Sequence, residues 1–117
     1  TMSLLHGLFM LQDAPFEKEV KRLNKRYRSL KQDLTNLVKE LVQNPNIGTD
    51  LGNGFRKVRL AITSKGKGKR GGARIITLNL ILSADEAEIG LFYIYDKSEK
   101  ENITDAELRE LRMKCGV

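Results

Sequence analysis

The sequence predicts an α+β fold, in which a short N-terminal strand and a helical hairpin precede a curved antiparallel sheet of three to four strands and a C-terminal helix. Apolar residues recur every three or four positions up to residue 42 and alternate with polar residues from about residue 55 onward. The 117 residues match one compact domain, and 40% of them are hydrophobic, which is enough to form a core. We therefore expect a single domain over 1–117, with 1–7 either flexible or introduced by cloning.

The first half of the chain is predicted to contain a strand and two helices. Residues 8–11 are apolar, as in a short buried strand, and Asp13-Ala14-Pro15 has the N-cap side chain and first-turn proline of a helix start. Ser29 and Gln32 have the spacing of a capping box, which predicts that the Ser29 hydroxyl caps a second helix. Asn44-Pro45 should end that helix, so the two helices are expected to form a hairpin.

The second half is predicted to be an antiparallel meander followed by a helix. Thr104 and Glu107 form another capping box, which should open the last helix. A glycine-rich basic segment separates the first two strands and is expected to be a mobile connection. The predicted strands lie at 57–62, 73–82 and 89–95, with the connection at 64–72 and a polar turn at 83–88.

Residue counts exclude several classes of function. One cysteine, Cys115, cannot form an internal disulfide, and one histidine, His6, leaves no Cys/His zinc cluster, paired-histidine ribonuclease or Cys/His nucleophile. The string GKGKRG at 66–71 matches G-x-G-x-x-G, but a strand follows it where a dinucleotide site requires a helix. No signal peptide or membrane span is evident. We expect a cytoplasmic protein that uses no metal or small-molecule cofactor.

The distribution of charge indicates a nucleic-acid partner. The net charge is +6, with 16 Lys/Arg and 6 Asp/Glu in residues 1–74 but 5 and 9 in residues 75–117. Between Phe55 and Arg74 there are eight basic residues and no acidic one. Such a segment attracts polyanions through phosphate contacts and counterion release.

Three cations of this segment are candidates for one site. Lys57 and Arg59 are two positions apart in a predicted strand, so their side chains emerge on the same face, and Arg74 on the next strand is expected to lie beside them. Three neighbouring cations repel one another unless they meet an anion such as a phosphate. The alternative is an ordinary solvated sheet face. Tyr93 and Tyr95 also share a strand face, where they either join the core or stack on a base.

The sequence resembles the RelE/ParE superfamily of bacterial toxins, and it is most similar to the RelE/HigB branch of that superfamily. The similar segments are FRKVRLA at 55–61, GKGKRGGARII at 66–76 and YDKSEKENIT at 95–104, and the resemblance covers roughly 8–114. It implies a toxin held inactive by a cognate antitoxin. It also implies an mRNA interferase that cleaves mRNA in the ribosomal A site without a metal, by attack of the RNA 2′-hydroxyl on the adjacent phosphate.

The resemblance also assigns site residues. The family's two strand cations fall on Lys57 and Arg59, its next-strand arginine falls on Arg74, and its basic position after the last strand falls on Lys97 or Lys100, of which we choose Lys97 as catalytic. Lys57 is the better general base, provided that its cationic neighbours favour loss of a proton, because an arginine stays protonated. The residues expected to contact RNA or the ribosome are Arg56, Lys65, Lys67, Lys69, Arg70 and Lys100.

Two other functions stay open, one of them because of a departure from the family. The family's usual C-terminal tyrosine falls on Thr104, a poor acid, so the proton donor is unassigned. A ParE-like inhibitor of DNA gyrase would not need the basic cluster, and a non-catalytic RNA-binding or ribosome-binding protein would not need the tyrosine.

Overall fold

The chain has an α+β architecture in the computed structural model, which describes residues 8–10, 15–81 and 87–115. Residues 1–7, the expected helix start at Asp13-Ala14 and most of the expected turn at 83–88 lie outside the described residues. In chain order the elements are β1 (Leu8–Met10), α1 (Pro15–Arg26), α2 (Leu30–Gln43), β2 (Thr49–Gly52), β3 (Phe55–Leu60), α3 (Gly68–Gly71), β4 (Ala73–Ile81), β5 (Ala87–Asp96) and α4 (Asp105–Cys115).

The five strands in the described residues form one sheet in the order β1-β5-β4-β3-β2. Strands β2 to β5 pair antiparallel with their neighbours, as predicted for the meander, and β1 pairs parallel with β5. The strand β2 was not predicted, because its four residues show no clear alternation of polar and apolar side chains. Asn53 and Gly54, which join β2 to β3, both have positive φ angles, as a tight two-residue hairpin turn requires.

The sheet has a helical hairpin on one face and a smaller core on the other. Phe16 and Leu23 of α1 and Leu37 of α2 pack with buried β3 and β5 residues, among them Val58 and Ile94. On the opposite face, α4 and the segment before it cover part of the sheet with Ile103 and Leu111. The uncovered remainder of that second face is where the strand cations emerge. No helix among the described residues is long and apolar enough to cross a membrane.

The predicted N-cap of α2 is wrong, although the helix begins where expected. Ser29 has helical backbone angles and its side chain makes no capping hydrogen bond. Its hydroxyl instead donates to the Asp33 carboxylate at 2.7 Å and accepts a hydrogen bond from the backbone N–H of Ser64 at 2.8 Å. The local pattern could not reveal this because Ser64 lies 35 residues along the chain.

The glycine-rich segment at 64–72 is more regular than the connection expected from sequence. A 3₁₀ turn at Thr63–Lys65 and the single turn of α3 fill it. Asp33 accepts hydrogen bonds from the backbone and hydroxyl of Thr63. Gly72 is buried against β3, where an added Cβ would lie 2.0 Å from the Leu60 carbonyl oxygen. These contacts hold the segment against the sheet and beside the strand cations.

Candidate active site

Strand register brings the predicted strand cations onto one face of the sheet. Arg59 of β3 lies directly opposite Arg74 of β4, and Lys57 is two residues away on the same side of β3. Opposite residues of an antiparallel pair have Cβ atoms about 5 Å apart. The expectation that Arg74 lies beside Lys57 and Arg59 is therefore met by the backbone geometry.

These cations line an open cleft at the end of β5. The cleft has a volume of about 620 Å³, and its only acidic side chain among the described residues is Glu101. All four residues that the sequence suggested as catalytic reach it. The lining side chains are those of Thr49, Lys57, Arg59, Arg74, Lys97, Glu101 and Asn102.

Arg74 is a buried cation held by carbonyl oxygens. Its side chain donates to the backbone oxygens of Lys69 and Ala73, each at 3.0 Å, and of Arg70 at 3.3 Å. The residue is 6% exposed. A guanidinium has five N–H donors, so these three bonds leave two for an anion in the cleft. The turn of α3 thus fixes the orientation of Arg74 before any ligand binds.

Arg59 and Arg74 repel each other in the free protein. Burial lowers the pKa of Arg74 below its usual value, and the charge of Arg59 lowers it further. Arg59 is exposed, and its side chain forms no hydrogen bond or ion pair with any residue that the structure describes. A bound phosphate between the two guanidinium groups would replace this repulsion with two attractions.

The two lysines of the cleft are held by the segment between β5 and α4. Lys57 donates a hydrogen bond from Nζ to the side-chain oxygen of Asn102 at 2.9 Å. Lys97 donates from Nζ to the backbone oxygen of Glu101 at 2.6 Å. Both amines therefore have neutral acceptors, and each keeps donors for a second partner.

A buried carboxylate anchors the chain immediately before Lys97. Asp96 is fully buried and accepts hydrogen bonds from Tyr27, Lys65 and Ser98. Burial alone would raise the pKa of the Asp96 carboxyl, but the hydrogen bonds from Lys65, Tyr27 and Ser98 outweigh it and hold the pKa well below its usual value. This network ties the end of β5 to α1 and to the 3₁₀ turn, so it fixes the backbone that carries Lys97.

The remaining predicted RNA contacts divide into two groups. Arg56 donates to the backbone oxygens of Ile47 and Gly48, and Lys65 pairs with Asp96 at 2.6 Å, so the structure does not bring these two side chains to the cleft. Lys100 also lies elsewhere, where it pairs with Glu107 and contacts the ring of Tyr93. Lys67, Lys69 and Arg70 are exposed, and the backbone oxygens of Lys69 and Arg70 hold Arg74, but none of the three side chains is among those that line the cleft.

Neither tyrosine of β5 lines the cleft, and Thr104 caps a helix. Tyr95 is 3% exposed and packs in the second core, where burial raises the pKa of its hydroxyl. Tyr93 is half-buried beside Lys100. The Thr104 hydroxyl accepts a hydrogen bond from the Glu107 N–H at 3.1 Å, and the Glu107 carboxylate accepts one from the Thr104 N–H at 3.0 Å. The capping box predicted for α4 is therefore confirmed.

Sequence reasoning missed three residues of the cleft. Thr49 lies on the unpredicted strand β2, opposite Lys57. Glu101 and Asn102 belong to the segment that the sequence analysis treated as part of the family resemblance without giving either a role. The signal that could have found them is their place between a strand end and the Thr104 capping box. No group of three or more His, Cys, Asp or Glu side chains that could hold a metal occurs in the described part of the chain.

A comparison with protein families places most of the chain in a known sequence family. The sequence model described as the RelE toxin of the RelE/RelB toxin-antitoxin system matches residues 16–116. The match extends from α1 to the end of α4 and includes every residue that lines the cleft.

Proposed function

The chain belongs to the RelE family of toxins from toxin-antitoxin systems, and we propose that it is a ribosome-dependent endoribonuclease that cleaves mRNA in the ribosomal A site. Toxins of this family are generally endoribonucleases. In this proposal, the cleft between β3, β4 and the segment before α4 is the catalytic centre. The proposal also keeps the HigB-like branch and a cytoplasmic site of action, where translated mRNA is found.

The observation that supports the proposal most directly is the set of four cations in one cleft. Lys57, Arg59, Arg74 and Lys97 surround a space of about 620 Å³, and Glu101 is the one acidic side chain among the described residues there. The pairing of Arg59 with Arg74 does not stabilise the free protein, whereas both guanidinium groups could bind an RNA phosphate. This excess of positive charge suits the extra negative charge that develops on a phosphate during its cleavage.

The proposed reaction is an internal transfer of the phosphate. The 2′-oxygen of the RNA forms a bond to the adjacent phosphorus while the bond from phosphorus to the 5′-oxygen breaks. One product ends in a 2′,3′-cyclic phosphate and the other begins with a 5′-hydroxyl. Arg59 and Arg74 would bind the non-bridging oxygens, and Arg74 would do so from a fixed orientation, which lowers the reorganisation needed in the transition state.

Lys57 is our choice for the residue that accepts the proton of the 2′-hydroxyl. Of the side chains on β3 in the cleft, only a lysine can lose its charge, since an arginine stays protonated. Lys97 on the opposite side of the cleft would stabilise the departing 5′-oxygen by donating a hydrogen bond, and that oxygen would take a proton from water to become the 5′-hydroxyl. Thr104 takes no part in this proposal, because its side chain is not among those that line the cleft and its hydroxyl caps α4.

Family membership implies a cognate antitoxin. The positively charged cleft is complementary to an acidic antitoxin segment, because such a segment would neutralise its charge and exclude RNA from it. We propose that the antitoxin inhibits cleavage at least in part through this contact.

The experiment is translation of a defined message by purified bacterial ribosomes, with cut sites mapped by primer extension. Cuts within codons that occupy the A site, absent when ribosomes are omitted, are the expected result. Folded protein that produces no cuts would overturn the proposal. A gyrase supercoiling assay and a ribosome-binding assay would then separate the ParE-like function from a non-catalytic RNA-binding function. The observation that supports the second is that the described residues lining the cleft include no tyrosine.

A further inference from the structure

One cross-cleft hydrogen bond has a role that neither the family match nor the proposed reaction assigns. The side-chain oxygen of Asn102 accepts a hydrogen bond from Nζ of Lys57 at 2.9 Å, and the two residues are 45 positions apart in the chain. Both side chains line the cleft. The hydrogen bond between the Lys57 amine and the Asn102 amide thus connects strand β3 to the segment before α4.

Asn102 is fixed by its neighbours on both sides. The backbone oxygen of Glu101 accepts a hydrogen bond from Nζ of Lys97 at 2.6 Å. Ile103 is 8% exposed and packs in the second core, and Thr104 and Glu107 exchange the two capping hydrogen bonds. The amide is therefore presented from a segment held at residues 101, 103 and 104, although Asn102 itself is exposed.

Lys57 needs such a partner because of its surroundings. A lysine side chain has four rotatable bonds, and ordering it costs rotamer entropy. The neighbouring charges of Arg59, Arg74 and Lys97 would push a free ammonium group out of the cleft toward solvent. An acceptor in the cleft counteracts both effects.

We infer that Asn102 is a positioning residue that holds the Lys57 amine at the point where it meets the RNA 2′-hydroxyl, an inference that rests on the proposed function. The amide suits this task because it accepts a hydrogen bond without carrying a charge. A carboxylate at the same place would hold the amine equally well but would favour its charged form, which cannot accept a proton. Asparagine thus fixes the position of Lys57 and leaves its proton exchange free.

The test compares Asn102→Ala and Asn102→Asp with the wild-type protein, using Asn46→Ala as the control. Asn46 lies in the connection after α2 and does not line the cleft. Single-turnover cleavage on ribosomes is measured against toxin concentration and pH. Reductive methylation of the free protein, followed by mass spectrometry of the peptides, reports the reactivity of Lys57, with Lys97 as the internal reference because its acceptor is a backbone oxygen.

We expect Asn102→Ala to lower the maximal cleavage rate about tenfold or more, with the half-saturating concentration changed less than about twofold. Asn102→Asp should move the pH–rate profile to higher pH and regain much of its rate there. Lys57 should be methylated faster in Asn102→Ala, while Lys97 in that variant and both lysines in Asn46→Ala react as in wild type.

The contrary results are equally specific. An Asn102→Ala protein with wild-type cleavage and wild-type Lys57 methylation would overturn the inference. So would a loss of cleavage with unchanged Lys57 methylation, since the amide would then act on the RNA rather than on the lysine. If the wild-type protein makes no cuts, the proposed function fails, and the methylation rates alone decide whether Asn102 holds Lys57.

Discussion

Arg59 and Arg74 lie directly opposite each other on β3 and β4, and no acidic side chain of the described residues pairs with either of them. Arg74 is buried and held by three carbonyl oxygens, whereas Arg59 is exposed. Two like charges on adjacent strands destabilise the free protein, so their juxtaposition points to an anionic ligand.

Removal of the exposed member of this pair should stabilise the free protein. We expect Arg59→Gln to raise the free energy of unfolding by about 0.5 kcal/mol at low salt, because it removes repulsion across the strand pair. Salt should shrink the gain, since it screens an exposed charge. Urea unfolding at two salt concentrations measures both, with Arg109→Gln on α4 as the control. A loss of stability in Arg59→Gln would show that Arg59 has a stabilising partner.

The same substitution should weaken RNA binding in a way that distinguishes Arg59 from Arg56. The affinity for a labelled single-stranded RNA falls with salt, and each phosphate contact contributes about 0.7 to the logarithmic slope. Arg59→Gln should reduce the slope by about that amount. Arg56→Gln should leave the slope unchanged, because the Arg56 side chain donates to the backbone oxygens of Ile47 and Gly48. A reduced slope in Arg56→Gln would return Arg56 to the binding surface.

The buried carboxylate of Asp96 should dominate stability near the site. Asp96→Asn leaves the Lys65 ammonium without its buried charge partner, and we expect a loss of about 3 kcal/mol in the free energy of unfolding. Glu99→Gln is the control, because its ion pair with the half-exposed Arg22 side chain should contribute less than about 1 kcal/mol. Equal losses in the two variants would contradict this ranking.

Acid should remove the Asp96 contribution. Its hydrogen bonds lower the pKa of the Asp96 carboxyl in the folded protein relative to the unfolded chain. The stabilisation is therefore fully present above about pH 4, the unfolded value, and is lost as the pH falls toward the lower folded value. Urea unfolding across that range should show a shallower acid-side loss for Asp96→Asn than for wild type. Parallel curves would mean that other carboxylates account for the acid sensitivity.

Thr104 should act on stability and not on cleavage. Thr104→Ala removes the cap of α4, and we expect it to cost about 1 kcal/mol of unfolding free energy. The cleavage rate per folded molecule should stay at the wild-type level, as it should for the control Thr35→Ala on α2. A large loss of cleavage by folded Thr104→Ala would instead identify this hydroxyl as a proton donor.

Much of this geometry could be predicted from local patterns. The spacing of Lys57 and Arg59 required a shared strand face, and the residues rich in Ile, Leu and Thr that follow Arg74 placed it on the neighbouring strand. The same reasoning failed where a side chain takes a distant partner. The side chains form hydrogen bonds in the pairs Ser29 with Ser64, Lys65 with Asp96, and Lys57 with Asn102. The periodicity of a local sequence segment cannot predict contacts between residues so far apart.

Charge counting had a related weakness. A net charge does not distinguish among the eight basic residues between Phe55 and Arg74. Arg56 and Lys65 were therefore expected to contact RNA with the rest. The structure separates them because β3 alternates its faces and because Asp96 supplies a buried partner for Lys65. Only the fold distinguishes a cation that completes the core from one that faces a cleft.

Whether the cations of the cleft cleave mRNA is decided by primer extension on translated message with the double variant Lys57→Met plus Arg59→Gln. Both residues are outside the buried core, so the variant should remain folded, which circular dichroism can verify. Arg56→Gln plus Lys39→Gln removes the same number of charges elsewhere. We expect A-site cuts with the wild-type protein and with this control variant, and no cuts with the cleft variant. Undiminished cuts with the folded cleft variant would contradict this expectation.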